Sequence, residues 1–132
     1  MNLGQCHNFS DFRTLAKKRL PGPIFHYIDG AADDEVTYKR NSQSFNDVDL
    51  VPNVLAGVEE VDMTTKIMGQ ELSMPFYCAP TALQRLFHHE GERAVARAAS
   101  SSGTMFGVSS LATVTVEDIA KISAGPKMFQ FY

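Results

Sequence analysis

The 132-residue sequence has few of the features that mark membrane, secreted or nucleic-acid-binding proteins. No segment reaches the roughly 18 consecutive apolar residues of a membrane-spanning helix, and the first residues lack the pattern of a secretory signal. Lys and Arg number 12 against 15 Asp and Glu, so the net charge is −3. The only basic cluster, residues 17–19, is interpreted as the end of a helix. Because binding to nucleic acid needs clustered cations, no nucleic-acid partner is expected.

Cysteine and histidine are too sparse to indicate a redox pair or a metal centre. Cys6 and Cys78 form no CxxC motif and provide no disulfide framework, so we expect an intracellular protein. His88 and His89 are adjacent, but no third and fourth ligand follows at a zinc-like spacing. We therefore expect no metal site.

Three regions with different patterns follow one another. In the first region, residues 1–47, the pattern is helical from Ser10 to about Asn46, with Ser10 and Asp33 as the expected caps of the first and third helices. Residues 48–73 contain short extended stretches, and these predict a β-hairpin with Gly69 and Gln70 as its turn. From residue 74 onward the pattern predicts strands at 75–79, 104–108 and 127–132 and helices at 92–102 and 116–122.

The alternation of strand and helix after residue 74 predicts an α/β fold with a parallel sheet. Three parallel strands with two open edges are hard to stabilise alone, and a closed (β/α)8 barrel needs about 250 residues. We therefore expect the N-terminal part of one larger domain. It would comprise a helical cap (1–47), a hairpin region (48–73) and the first three strands of a TIM barrel (74–132), truncated before the barrel closes.

Polar residues follow each predicted barrel strand, where parallel α/β folds place their reactive groups. A hydroxyl, an amide and a phenol at the same end of the sheet could bind a flat heterocycle that carries both hydrogen-bond donors and acceptors. The structural alternatives are helix capping for the hydroxyls and simple packing for the tyrosine. The residues concerned are Pro80, Thr81, Ala82, Ser109, Gln130 and Tyr132.

Many short motifs, in order from Asp11 to the last residue, resemble one enzyme family. They are LP (20–21), FHYIDGAA (25–32), SMP (73–75), APTA (79–82), EGE (90–92), ARAA (96–99), VSS (108–110) and FQFY (129–132). Together they resemble the FMN-dependent α-hydroxy acid dehydrogenases and oxidases, which include L-lactate dehydrogenase, glycolate oxidase and mandelate dehydrogenase. The FHY version looks most like the bacterial L-lactate dehydrogenases.

The resemblance implies FMN as the cofactor and assigns roles to individual residues. Pro80, Thr81 and Ala82 would lie against the flavin, and Ser109 and Gln130 would hydrogen-bond its ring. Tyr27 and Tyr132 would direct phenols at the substrate. Leu111 takes a place where glycolate oxidases have Trp, which weakens an inference to glycolate-like substrates.

The implied reaction is oxidation of an (S)-2-hydroxy acid, with L-lactate the expected substrate and a quinone or cytochrome as the electron acceptor. The resemblance places the catalytic His base, the Arg that binds the carboxylate and the phosphate site beyond Tyr132. We therefore expect residues 1–132 to be inactive alone. The full-length relatives imply a homo-oligomer in the cytoplasm, with attachment to the inner face of the cytoplasmic membrane as the alternative.

Two other functions stay open. One is a truncated, non-catalytic module that binds or assembles with a complementary part of a barrel, because free strand edges would need a cover. The other is a different FMN-dependent barrel enzyme, such as an isopentenyl diphosphate isomerase. Phenols at Tyr27 and Tyr132 suit a carboxylate better than a diphosphate, which favours the hydroxy acid.

Overall fold

The computed structural model describes residues 2–132, and the chain divides after Val58 into two compact units. The first unit contains a 3-10 turn at Leu3–Gln5, then α1 (Phe9–Arg19), α2 (Gly22–Asp29) and α3 (Val36–Asn46). The second contains β1 (Thr65–Ile67), β2 (Gln70–Leu72), a 3-10 turn at Gln84–Leu86, α4 (Glu92–Ser101), β3 (Phe106–Val108), α5 (Val116–Ile122) and β4 (Lys127–Phe129). The predicted order of elements is confirmed except at residues 75–79, while the boundaries at residues 47 and 73 stay predictions. Among the described residues, no helix is long and apolar enough to cross a membrane.

Helix α1 begins two residues earlier than expected because Asn8, not Ser10, caps it. The Asn8 side chain accepts a hydrogen bond from the Asp11 N–H at 3.0 Å, and the Asp11 carboxylate accepts one from the His7 N–H at 2.9 Å. A Ser10 cap would need the Phe12 or Arg13 N–H, but Ser10 lies inside the helix, where the Phe12 N–H donates to Asn8 O at 3.3 Å. The basic residues 17–19 form the last turn of α1, as predicted.

The expected cap of α3 is also wrong. Asp33 and Glu35 have positive φ angles of 49° and 59°, so the chain turns through left-handed conformations before the helix begins at Val36. The Glu35 carboxylate accepts a hydrogen bond from the Ala31 N–H at 3.2 Å and closes this turn. Asp33 thus lies in the turn and not at the helix end.

An ion pair and two buried side chains connect α1 with α2. Leu15 and Phe25 are 5% and 4% exposed, and Arg13 donates two hydrogen bonds to the Asp29 carboxylate. The hydrogen bond from Arg13 lowers the pKa of Asp29. A bidentate guanidinium–carboxylate pair fixes orientation as well as distance.

The hairpin in the second unit is confirmed, but its turn lies one residue earlier than predicted. Strands β1 and β2 are antiparallel, with Ile67 opposite Gln70, so Met68 and Gly69 form the turn. Their φ angles are 50° and 78°, which is the left-handed pair of a type I′ turn. The predicted turn at Gly69 and Gln70 is wrong because only the register through Met68 places two left-handed residues between the strands.

The parallel sheet is built on β3. Strands β3 and β4 are parallel, with Gly107 opposite Met128, and Cys78 forms a parallel bridge to Phe106. The predicted strand at 75–79 is thus reduced to a single bridge, since the Phe76 N–H donates to Met74 O instead of the sheet and Pro80 has no N–H to donate. The sheet formed by residues 2–132 is open, so the α/β class is confirmed and the closed barrel stays a prediction.

Helices α4 and α5 cover β3 with small and branched side chains. The alanines of α4 allow close approach of the helix to the strand, and Ile119 of α5 is fully buried beside them. Burial of apolar surface of this kind is the dominant favourable term in folding. The core consists of Ala96, Ala99, Phe106, Val108, Val114 and Ile119.

We expect Gly103→Ala to lower the free energy of unfolding by more than a left-handed backbone alone explains. Gly103 ends α4 with φ +64°, and a Cβ there would lie 2.9 Å from Ser73 Cβ. Gly57 has a similar φ of +63° with open space around it, so Gly57→Ala is a matched control for the backbone cost of about 1–2 kcal/mol. Chemical denaturation compares the two variants. Equal decreases in the free energy of unfolding in the two variants would show that the contact with Ser73 does not add to the cost of the substitution.

Candidate functional site

Two of the predicted cofactor-binding residues lie side by side at the carboxyl ends of β3 and β4. Ser109 directly follows β3 and is 4% exposed, and Gln130 directly follows β4. The Gln130 N–H donates to Val108 O at 2.8 Å and so extends the parallel pairing by one step. This register allows Ser109 Oγ to donate to Gln130 Oε1 at 3.3 Å.

Ser109 also organises the loop that follows it. Its Oγ accepts a hydrogen bond from the Leu111 N–H at 3.1 Å, and its carbonyl accepts one from the Ala112 N–H at 3.1 Å. Ser109 therefore stabilises a turn and does not cap α5. The cap of α5 is Thr115, which accepts from the Asp118 N–H at 3.2 Å.

The segment Pro80, Thr81 and Ala82 lies beside the same strand and is half-buried. A Cβ on Gly107 would lie 2.7 Å from Pro80 Cδ, so the proline ring packs directly on the β3 backbone. Thr81 O accepts a hydrogen bond from Gln84 Nε2 at 3.3 Å. Two loops that follow neighbouring strands thus meet near β3.

The two predicted substrate-binding phenols lie in different units. Tyr27 is on α2 of the first unit with 54% of its surface exposed. Tyr132 follows Gln130 by two residues in the second unit and is 89% exposed. Their roles stay predictions, whereas the contact between Ser109 and Gln130 is present in the second unit.

Glu92, the first residue of α4, makes polar contacts beside the site that the sequence analysis did not predict. It is fully buried, and its two carboxylate oxygens accept hydrogen bonds from the Thr113 N–H at 2.8 Å and Thr113 Oγ1 at 2.6 Å. The sequence signal is weak because an acidic residue in the first turn of a helix is common and usually exposed.

The polar groups at this edge fit the pyrimidine edge of a flavin, which alternates acceptors with a donor. Gln130 Oε1 accepts from Ser109, while Gln130 Nε2 donates to no group of residues 2–132. Ser110 Oγ is buried and has no hydrogen-bond partner within the same residues. Unused hydrogen-bonding capacity of this kind, beside a half-buried loop, can serve a polar ligand.

No group of three or more His, Cys, Asp or Glu side chains within residues 2–132 could hold a metal ion. The rings of His88 and His89 lie 4.3 Å apart, centroid to centroid, and both side chains are exposed.

A sequence profile of the FMN-dependent dehydrogenase family matches residues 16–132. The chain is 38% identical over 130 residues to glycolate oxidase 1 of Zea mays, covering 98% of this chain and 35% of that protein. It is 41% identical over 131 residues to a protein of Mycobacterium tuberculosis provisionally named L-lactate dehydrogenase, covering 98% of this chain and 32% of that protein. The chain thus spans about a third of the length of these relatives.

A solved structure agrees with the sequence relatives. A point mutant of an active chimera of (S)-mandelate dehydrogenase is 35% identical and superposes with a TM-score of 0.88 over 95% of this chain and 35% of that one. The chain belongs to the family of FMN-dependent dehydrogenases, whose cofactor is FMN. The resemblance drawn from the motifs is confirmed at the level of the family.

We expect Glu92 to make the stability of the fold sensitive to acid. Burial raises the pKa of the Glu92 carboxyl, but hydrogen bonds from Thr113 and from the backbone N–H groups of Glu92 and Gln84 outweigh it and hold the pKa below the ordinary value of 4.5. The folded state therefore binds this proton less readily than the unfolded state. The contribution of Glu92 to stability is present above the unfolded pKa and is lost as pH falls through the folded pKa.

Denaturant unfolding of the wild type and of Glu92→Gln, between about pH 7 and about pH 3, measures this contribution. The variant should lose less stability on acidification than the wild type. Glu90→Gln is the matched control, because Glu90 forms a half-exposed ion pair with Arg97 two residues before Glu92. If the free energy of unfolding depends on pH identically in the wild type and in Glu92→Gln, Glu92 does not contribute to the acid sensitivity of the fold.

Proposed function

We propose that this protein oxidises an (S)-2-hydroxy acid with FMN as the electron acceptor, and that its substrate is L-lactate, which becomes pyruvate. The contact between Ser109 Oγ and Gln130 Oε1, at 3.3 Å across two adjacent parallel strand ends, carries the proposal. It places a buried hydroxyl and a partly unused amide where a parallel α/β fold binds its ligand. Membership of the FMN-dependent dehydrogenase family supports the same conclusion.

The FMN site would be formed by the loop of Pro80, Thr81 and Ala82 together with Ser109 and Gln130. Gln130 Nε2 would donate to a ring oxygen, and the backbone of residues 80–82 would border the ring. When bound, FMN accepts the two electrons and the C2 hydrogen that leave the hydroxy acid. The three strands around β3 would be the first strands of a TIM barrel, a fold that brings such loops to one face.

The substrate would be bound through its carboxylate by phenol hydroxyls. Tyr27 and Tyr132 would donate hydrogen bonds to the carboxylate or to the oxygen that becomes the ketone. No base is assigned within residues 1–132. We propose that the His base, the carboxylate-binding Arg and the phosphate site come from later strands, as the family resemblance implies.

L-lactate is proposed over glycolate on two grounds. Leu111, which is 54% exposed in the loop after Ser109, stands where glycolate oxidases have the larger Trp, so more room is left for the methyl group of lactate. The similarity to the mycobacterial protein named for L-lactate supports the same substrate. A quinone or cytochrome is proposed as the electron acceptor, for a cytoplasmic homo-oligomer.

Anaerobic reduction of the flavin tests the reaction and the substrate together. The protein, expressed from its own gene and purified with its bound chromophore, should lose flavin absorbance on mixing with L-lactate, and more slowly with glycolate or mandelate. Residues 1–132 alone should show no lactate-dependent reduction. Absence of FMN from the purified protein would refute the enzyme class, whereas faster reduction by glycolate would refute the substrate only.

Ser109→Ala should weaken FMN binding. The substitution removes the donor to Gln130 and leaves the Leu111 N–H without its acceptor, so about tenfold weaker binding is expected from one lost hydrogen bond and the disturbed loop. Titration of the apoprotein with FMN, followed by flavin fluorescence, gives the dissociation constant. Ser101→Ala removes an exposed helix-end hydroxyl bond in the same unit and should leave FMN binding unchanged.

A further inference from the structure

A buried carboxylate with no cationic partner is the unusual feature of the second unit. Glu92 is completely inaccessible to solvent, yet no Lys, Arg or His of residues 2–132 forms a salt bridge with it. Burying an ionised carboxylate is costly unless hydrogen bonds replace the lost water. The role of Glu92 therefore depends on the groups that donate hydrogen bonds to its carboxylate.

Those donors come from the two loops that follow the strand ends. Thr113 donates through its backbone N–H and its hydroxyl, and the backbone N–H of Gln84 contributes to lowering the pKa of the same carboxylate. Thr113 Oγ1 in turn accepts from the Arg85 N–H at 3.3 Å. Glu92 thus binds the loop after Thr81 and the loop after Ser109 at the same time.

Close backbone packing reinforces this junction. Gly91 has φ +52°, and a Cβ there would lie 2.6 Å from Arg85 Cγ and 3.4 Å from Thr113 Oγ1. A second link joins the same loops, because the Leu83 N–H donates to Leu111 O at 3.1 Å. The start of α4 and both loops therefore meet within contact distance.

One further hydrogen bond connects each loop to a residue of the FMN site proposed above. On one side, Gln84 Nε2 donates to Thr81 O at 3.3 Å. On the other, the Leu111 N–H donates to Ser109 Oγ at 3.1 Å. Thr81 and Ser109 are thus each connected by a hydrogen bond to a loop that meets the start of α4.

We propose that Glu92 is a positioning residue for FMN: its carboxylate fixes the distance between the Thr81 loop and the Ser109 loop, which lie against the cofactor. The inference rests on the proposed function, because it concerns the same FMN site. Because Glu92 is fully buried, it would act through Thr113 and Gln84 and not by touching FMN or substrate.

The experiment compares Glu92→Ala, Glu92→Gln and Thr113→Val in the protein as its gene encodes it. Glu90→Gln is the control for loss of a nearby carboxylate. FMN titration of each apoprotein gives the dissociation constant, and thermal unfolding of the apoproteins gives stability. Hydrogen exchange at the amides of Leu83, Leu111 and Thr113 reports on the loops without cofactor.

Glu92→Ala and Thr113→Val should weaken FMN binding about tenfold at a temperature where each apoprotein is folded. Glu92→Gln keeps one acceptor oxygen and should fall between these variants and the wild type. The double variant Glu92→Ala/Thr113→Val should bind no more weakly than Glu92→Ala, because both remove one interaction. Exchange at the amides of Leu111 and Thr113 should accelerate in Glu92→Ala and in Thr113→Val.

Unchanged FMN affinity in Glu92→Gln and Thr113→Val, with only a lower melting temperature, would overturn the positioning role and leave the proposed function intact. If the wild-type protein binds no FMN, the proposed function fails and the inference falls with it. If Glu92→Ala does not fold, Glu92→Gln and Thr113→Val still decide the question, because each removes only part of the interaction.

Discussion

The close approach of backbones at Gly107 is the constraint on which the candidate site depends. The Gly107 N–H donates to Cys78 O at 2.8 Å on one side, and Gly107 is paired with Met128 on the other. A side chain there would meet both Cys78 O and the Pro80 ring within 3 Å. Because the three strands are aligned at this level, the residues that follow them leave the sheet at one edge.

Local chemistry decides which elements were predictable from the sequence. The helix at 116–122 was predicted with its observed bounds, since Thr115 caps it and acidic residues occupy its first turn. The caps of α1 and α3 are misassigned because Asn8 and Ser10 are both good capping residues, and because Asp33 is a better capping residue by type than Glu35, which precedes α3 without a side-chain cap. Only the backbone conformation distinguishes them. The observed hairpin turn lies one residue before the predicted one. The sequence does not indicate Met68 as a turn residue, because methionine rarely adopts a left-handed φ.

The candidate site was predictable to the extent that it depends on strand order. Ser109 and Gln130 follow strands that the apolar runs locate, so their proximity follows from parallel pairing. Glu92 was not predictable, because its burial depends on contacts with Thr113, which is 21 residues further along the chain. A first-turn glutamate that is exposed and one that joins two loops look the same in a single sequence.

The spacing of the paired strands has a consequence for how the sheet assembles. Cys78 and Phe106 are separated by one long helix, and Phe106 and Lys127 by one short helix. Each pairing therefore closes a loop of similar length, and the entropy of loop closure changes only slowly with length. The free-energy cost of adding a strand is nearly the same at each step. The parallel sheet can thus form in chain order, one strand and one helix at a time, as the polypeptide is synthesised.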